Sequence, residues 1–522
     1  MPQPPQLQFP TVNEFENPTF ERRESTVRRW AADLPVLNLV KTVPELRDQL
    51  PLLVSEPLAA GEKLRLLEHF RGPVNSVVAA AENRRLRQIP ISSSVRKRIK
   101  DDVLALCYDM ANGYKAVMQD LFERDRRPDS DKSLHFCIQR TLEQLRNALM
   151  HSFRIYRAVP PKHYQQMHQL HLYADMCGVA TKQVADDDHT PAEDRTPQLV
   201  YLRAMLLAVA DPFRLVDGAI EELYQFLARH GQSCRIVAGI AGDAHSDGLF
   251  LLRTESDLPP ALFGRAQLDR AGEAPYTLDA RPLMELLNQP AGSTDEPLET
   301  YAKWLLPRFK VAWERSQPRR QVDKKARVAG GLEAAAYLLS PAGRQSLAST
   351  GSGDRFGIEV QEIDDEQAVA HTLERWQVVN ESLNGFMLRH PVQTGLGLRV
   401  GDLALIIVER EDRVQMQPVI TVVRWFGVKD RNMQCGVEIL PGHPVAVALE
   451  SVLPNPEVPS GPGLYLPGIK SIQVPPSLVA PHGMHKPLRN LRVDLGTKKQ
   501  VVSCGEVLTA TEYFTRFRFG RA

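Results

Sequence analysis

Arg315, Arg319 and Arg320 place three guanidinium groups within six positions, and Asn380, Ser382 and Gly385 follow about 60 positions later, between two β-like runs. Arginine meets phosphate oxygens or a base edge with paired N–H donors and stacks on a base face. Asparagine and serine add short polar groups, and glycine lets a ligand approach the backbone closely. Residues of these types recognise an anion carrying phosphates and bases; they do not by themselves make or break bonds. The charge around the arginines is local. From Arg308 to Arg327 there are eight cations and two acids, a net of +6, whereas the whole chain balances 64 Lys+Arg against 63 Asp+Glu. A chain so close to neutral has no overall field drawing it to nucleic acid or to an anionic membrane.

Other constellations carry less. The sequence contains no GxxxxGK[ST], GxSxG or HExxH, no GxGxxG after a strand, and no nucleophile–base pair, so the reading is of a non-enzyme. His163, His168 and His171 are offset by 5 and 3, which is not the i, i+4 spacing of a helical metal site, and they read as surface or internally satisfied histidines. Asp186 to Asp188 lack the alternation and glycine of a calcium loop. Residues 349–353 resemble a phosphate loop in composition but lack its lysine. No cofactor or metal is expected. The six cysteines are scattered without a CxxC pair, several of them inside apolar patterns, which suits reduced, buried thiols. No window approaches 18 uncharged apolar residues and the N-terminus lacks a signal-peptide pattern, so a cytoplasmic protein without a membrane span is expected.

The elements that must position these residues fall into regions. Residues 1–32 read as a flexible tail and 33–300 as a mainly α-helical domain. Val103, Leu106, Met110, Tyr114, Val117 and Leu121 recur at spacings of 3 and 4, as do Leu134, Ile138, Leu142, Leu145, Leu149 and Phe153. Each set forms one stripe of a helix, and a short polar turn at 124–132 makes the two an antiparallel pair. Ser92 to Ser94 offer N-caps. An acidic loop at 185–193, helices at 199–209 and 219–228, short strands at 235–239 and 249–253, a linker at 289–297 and a helix at 298–309 complete this half. Beyond it, runs at 376–379, 386–389, 403–409, 419–425 and 434–440 are short and rich in β-branched and aromatic residues, the pattern of an antiparallel barrel. A helix over Leu332–Leu339 and a Gly/Ser loop at 349–354 interrupt the approach to it. Strands at 471–474, 491–495 and 500–504 give a small β-rich region at 446–522. The fold class is multidomain α+β: a helical bundle, a β-barrel domain at 301–445 and the C-terminal β region.

In their order, the RxxxR of Arg315 and Arg319, the NxSxxG of Asn380 to Gly385, and the closing strands with Val422-Val423-Arg424-Trp425 and Cys435-Gly436-Val437-Glu438-Ile439-Leu440 resemble the PilZ family. The resemblance covers roughly residues 312–442. It implies a small β-barrel that binds cyclic di-GMP, with Arg315, Arg319 and Arg320 clamping phosphate and guanine, and Asn380, Ser382 and Gly385 lining the barrel face. It also implies that binding orders the basic segment and reorients the helical output region. The arginine register stays open, since Arg320 and Lys324 form an RxxxK, and residues 328–375 lengthen the usual distance between the two motifs.

Two rival readings follow from the same residues. One is a scaffold with a degenerate barrel and a helical region that docks an unknown protein partner. The other is nucleic-acid binding through 308–327, which the near-neutral total charge counts against.

Overall fold

The computed structural model describes residues 5, 7–10, 20–81, 89, 91–184, 194–215, 218–239, 247–262, 276–288, 305–306, 320–343, 373–382, 384–391, 398–409, 418–429, 432–452, 460–469, 473–494 and 499–521. The chain divides into two compact units, Met1–Ser316 and Gln317–Ala522. The expected acidic loop at 185–193, the linker at 289–297, nearly all of the helix at 298–309 and the Gly/Ser loop at 349–354 lie outside the described residues.

The first unit is helical: α1 (Glu24–Asp33), α2 (Leu39–Ser55), α3 (Ala60–Ala80), α4 (Ser93–Glu123), α5 (Lys132–Arg154), α6 (His163–Met176), α7 (Pro197–Val209) and α8 (Ala219–His230). A four-stranded antiparallel sheet follows, in the order β1 (Arg235–Ala238), β4 (Tyr276–Asp279), β2 (Leu249–Leu252), β3 (Ala261–Leu262), and α9 (Arg281–Leu287) comes after β4. Ordered structure begins earlier than the expected tail allows. Phe20, Val27 and Ala31 are buried, because α1 presents an apolar face to the same core as α3.

Side-chain caps fix the helix starts. Ser92 Oγ accepts from Val95 N–H at 3.3 Å to open α4, and Asp131 accepts from Ser133 and Leu134 N–H at 2.9 and 3.3 Å to open α5. Both predicted stripes are buried. Helix α5 goes further and is buried on nearly every face, Gln139, Arg140, Glu143, Gln144 and His151 included. Its charges are paired. Arg140 meets Glu143 at 3.4 Å and Glu68 at 3.6 Å, Arg71 meets Glu143 at 3.3 Å, and Asp194 accepts from Arg146 and Arg203 at 3.3 and 2.7 Å. An unpaired charge at such sites would carry a large desolvation cost.

The second unit holds two closed six-stranded barrels. The first runs β10-β7-β6-β5-β8-β9, built from β5 (Arg320–Gly330), β6 (Glu374–Ser382), β7 (Gly385–Pro391), β8 (Leu403–Val408), β9 (Val419–Lys429) and β10 (Asn432–Leu440). The second runs β11-β12-β13-β16-β15-β14, from β11 (Val445–Ser451), β12 (Gly461–Leu466), β13 (Ser477–Pro481), β14 (Asn490–Asp494), β15 (Lys499–Ala510) and β16 (Phe514–Arg521). Closure leaves neither barrel an open edge. The C-terminal region is therefore a complete barrel, larger than the few strands the sequence suggested. Of the strand expected at 471–474, the described residues show a single bridge between Ile469 and Val474.

Helix α10 (Leu332–Leu339) starts after Gly331, whose φ of 92° suits glycine. Its Leu332, Ala335, Leu338 and Leu339 share one core with Leu403, Leu405, Ile420 and Val422 of the first barrel and Leu464, Leu466, Val479 and Phe514 of the second. The helix is the apolar wedge between the barrels. The second barrel keeps a separate interior around Leu449, Leu478, Leu491 and Phe517.

Candidate ligand-binding wall

The ladder between β5 and β6 joins the two motifs. Arg320, the first residue of β5, pairs with Glu381, and Gln321 pairs with Asn380. Strand β5, the described part of the basic run, thus begins at the hairpin carrying Asn380, Ser382 and Gly385. Arg315 and Arg319 lie outside the described residues; Arg320 is exposed at the strand start.

Paired residues project from the same face of a sheet. Ala326, Val328, Trp376, Val378, Leu388 and Cys435 are buried in the barrel interior, so residues of the other parity form its outer wall. Bulges at 322–323 of β5 and at Val379 of β6 keep Gln321 and Asn380 on that wall. One row then runs Gln321, Asn380, Met387, Gly436, Trp425 across five strands. Beside it run Lys325, Gln377, Arg389, Gln434, Gly427, and on its other side Ser382, Gly385, Glu438.

Two glycines shape this surface. A Cβ on Gly385 would stand 2.0 Å from Val437 O, so no other residue fits the start of β7 unless the strands separate. A Cβ on Gly436 would stand 1.9 Å from Trp425 Nε1, so that glycine lets the indole lie against the wall. Asn380 Nδ2 rests 3.2 Å from Met387 Sδ, a weak acceptor, and Ser382 Oγ lies 3.4 Å from Gly385 O. Both polar groups are thus only weakly engaged.

Acids near the wall are held by cations. Lys324 Nζ meets Glu381 at 2.6 Å, and Arg424 Nε donates to Glu438 at 2.6 Å. Gln377 donates to Asp323 Oδ1 at 2.7 Å. Arg389 differs: its side chain is half-buried, its Nε is buried and without a hydrogen-bond partner among the described residues, and it neighbours the Asn380 row. The wall can therefore offer an anion two amides, a hydroxyl, an indole face and a guanidinium.

Sequence reading named Asn380, Ser382 and Gly385 but not Arg389, Trp425 or Gln321, which lie on the same outer wall. Arg389 could have been found: it lies four residues beyond Gly385 in a strand, hence on the same face. Gln321 could not, because β5 reads as a charge run rather than a strand.

The other candidates are structural. His163, His168 and His171 are buried on α6. Tyr108 Oη lies 2.7 Å from His163 Nδ1, Tyr201 Oη 2.6 Å from His168 Nδ1, and the His171 ring stacks on Tyr201 at 4.3 Å. All six cysteines are free and buried, and desolvation pushes the Cys107 and Cys435 thiols up to about 12.

Residues 25–240 match the family model described as "Cyclic-di-GMP receptor FimW, N-terminal domain", and residues 456–522 match the "FimW C-terminal beta-barrel domain". Residues 241–455, with the first barrel and its wall, lie between the two matches. The chain is 24% identical over 584 aligned positions to a Pseudomonas aeruginosa protein described as cyclic-di-GMP receptor FimW, covering 99% of this chain and 93% of that protein. No solved structure matches. Toward its two ends the chain is thus similar to the N-terminal domain and the C-terminal barrel of the FimW family.

Proposed function

We propose that this protein is a cytoplasmic, non-enzymatic receptor for cyclic di-GMP, and that the ligand lies on the PilZ-like outer wall of the first barrel beneath the basic segment. The observation carrying this reading is the pairing of Arg320 with Glu381 and of Gln321 with Asn380, which sets Arg320, the last of the three arginines, at the NxSxxG hairpin. Arg315, Arg319 and Arg320 clamp phosphate and guanine edges; Asn380, Ser382 and the Gly385 backbone meet the ligand from the wall; Arg389 adds a donor and Trp425 a stacking face. The Pseudomonas protein, aligned over 99% of this chain and described as a cyclic-di-GMP receptor, supports the ligand choice. No described helix is long and apolar enough to cross a membrane, and the reduced cysteines suit a cytoplasmic setting.

Binding fixes the path of the segment between the two units and so reorients the helical region, whose partner is a protein. An order-changing switch of this kind needs the ligand to contact both the segment and the barrel.

Calorimetric titration with cyclic di-GMP, with GTP and cyclic di-AMP as controls, tests the reading. Micromolar or tighter guanine-selective binding is expected. No heat and no thermal stabilisation at about 100 µM ligand would leave a scaffold with a degenerate barrel.

A further inference from the structure

Glu438 is out of character for its surroundings. In the three rows of the outer wall every other polar side chain is neutral or cationic, and Glu438 alone carries a carboxylate. A carboxylate on a surface that receives phosphates repels them, so its presence there needs a reason.

Its position supplies one. Gly436 and Glu438 are two residues apart on β10, hence on the same face and about 7 Å from each other. The Trp425 indole lies across Gly436, where a Cβ would stand 1.9 Å from Nε1 and 2.5 Å from Cδ1 and Cε2. Gly385, opposite Glu438 in the ladder, leaves the neighbouring place bare. A base stacked on the indole therefore turns an edge toward the carboxylate. On its other side the row continues through Val422 and Leu403, which the second barrel covers. Glu438 stands at the foot of that barrel, beside Arg516 of β16. Arg516 is buried, and its Nε donates to Ser477 Oγ at 2.9 Å. Burial lowers this guanidinium and the Glu438 carboxylate raises it, so each lies in the field of the other. Arg424 Nε donates to Glu438 Oε2 at 2.6 Å, while Oε1, on a half-exposed side chain, has no hydrogen-bond partner among the described residues. Two cations, one from each barrel, thus flank the carboxylate and leave one oxygen open.

We propose that Glu438 is the residue that selects guanine over adenine, its carboxylate accepting from N1–H and the N2 amine of a base stacked on Trp425. An ionised carboxylate only accepts hydrogen bonds. Guanine offers two donors along that edge; adenine presents its N1 lone pair there and has no N2 amine. The inference rests on the barrel-wall reading and adds a discrimination the rest of the wall lacks. An indole stacks on any base, and a guanidinium on phosphate is blind to the base.

The full-length protein and its Glu438→Gln variant are titrated with cyclic di-GMP and with cyclic di-AMP by calorimetry. Glutamine keeps the shape of an exposed side chain, so the melting temperature should hold. The sign of the change decides. Were Glu438 only a surface acid, removing its charge would relieve repulsion and strengthen binding of both ligands. The inference expects cyclic di-GMP to bind roughly tenfold or more weakly, the factor one charge-assisted hydrogen bond carries, with cyclic di-AMP binding no weaker than before. If that variant melts early, Glu438→Asp, which keeps the charge but withdraws it by one methylene, must still lower cyclic di-GMP affinity and narrow the preference. Guanine-selective binding that a folded variant retains in full would overturn the role of Glu438 and leave the wall standing. A wild type that binds neither ligand would overturn the wall reading, and this inference with it.

Discussion

Gln321 lies directly opposite Asn380 in the β5–β6 ladder, although about 60 positions separate them in sequence. The intervening residues contribute α10, and α10 is buried against both barrels. The helix within what reads in the sequence as an insertion between the two motifs is therefore a packing element. The motifs meet because β5 and β6 are neighbours in the barrel, whatever the length between them. If the wall binds cyclic di-GMP as proposed, Arg319→Ala loses a charge-assisted hydrogen bond of about 1.5–3 kcal/mol, or roughly 10- to 150-fold in affinity. Calorimetry checks this against unchanged thermal stability. Unaltered affinity would remove Arg319 from the site.

Arg389→Ala separates wall from clamp. Its Nε is buried and without a described partner, so the native fold loses no hydrogen bond of that atom when the side chain goes. The expected result is a similar melting temperature with cyclic di-GMP affinity lowered about tenfold or more. A loss of stability with affinity retained would make Arg389 a structural residue.

Gly385→Ala should fail differently. Its Cβ would collide with Val437 O, so β7 and β10 must separate. Destabilisation of about 1–3 kcal/mol, typical of overpacking, is expected in chemical denaturation, with ligand affinity falling because the hairpin shifts. Full stability in this variant would contradict the pairing of Gly385 with Glu438.

Much of this was legible, and the rest hid for physical reasons. The apolar stripes of α4 and α5 and the β-branched runs of β6 to β10 have strong periods, and they appear close to where the sequence put them. Strand β5 hid because Arg320, Asp323, Lys324, Lys325 and Arg327 lie at a barrel mouth and on an outer wall, where a strand needs no apolar side chains. The second barrel hid because strands such as Gly461–Leu466 and Ser477–Pro481 are short and hold Gly or Pro. Helix α5 looks amphipathic, yet its polar face is buried, since burial of Arg140 and Arg146 depends, besides Glu143 of the same helix, on Glu68 and Asp194, which come from distant positions. No local pattern announces such partners.

That network makes a stability prediction. Asp194→Ala leaves Arg146 and Arg203 without their carboxylate in a buried setting. Breaking one partner of a buried pair costs about 3–5 kcal/mol. Denaturation should show a loss of that size in the helical unit, while the barrels keep their own transition. A loss below about 1 kcal/mol would mean solvent reaches the site.

The buried histidines set an acid limit on the same unit. Desolvation is the main cause holding His151, His163 and His171 down to about 3 and His168 down to about 4, far below the ordinary value near 6.5 of an unfolded chain. Below about pH 6.5 the unfolded state binds protons that the folded state refuses. Stability is therefore complete above that pH and drains away as pH falls toward the depressed values, by up to about 1.4 kcal/mol per pH unit for each histidine. Burial raises the Glu68 carboxyl, and a raised group acts in the opposite sense, favouring the fold at low pH. One carboxyl acting against four histidines offsets only part of their slope between pH 6.5 and 5. Thermal melts of the whole protein across that interval should show the helical transition falling steeply and the barrel transition far less. The variant His171→Phe, which keeps an aromatic ring against Tyr201 and removes one titrating group, should flatten the slope. A helical transition indifferent to pH over this range would mean these histidines are not shut away from water.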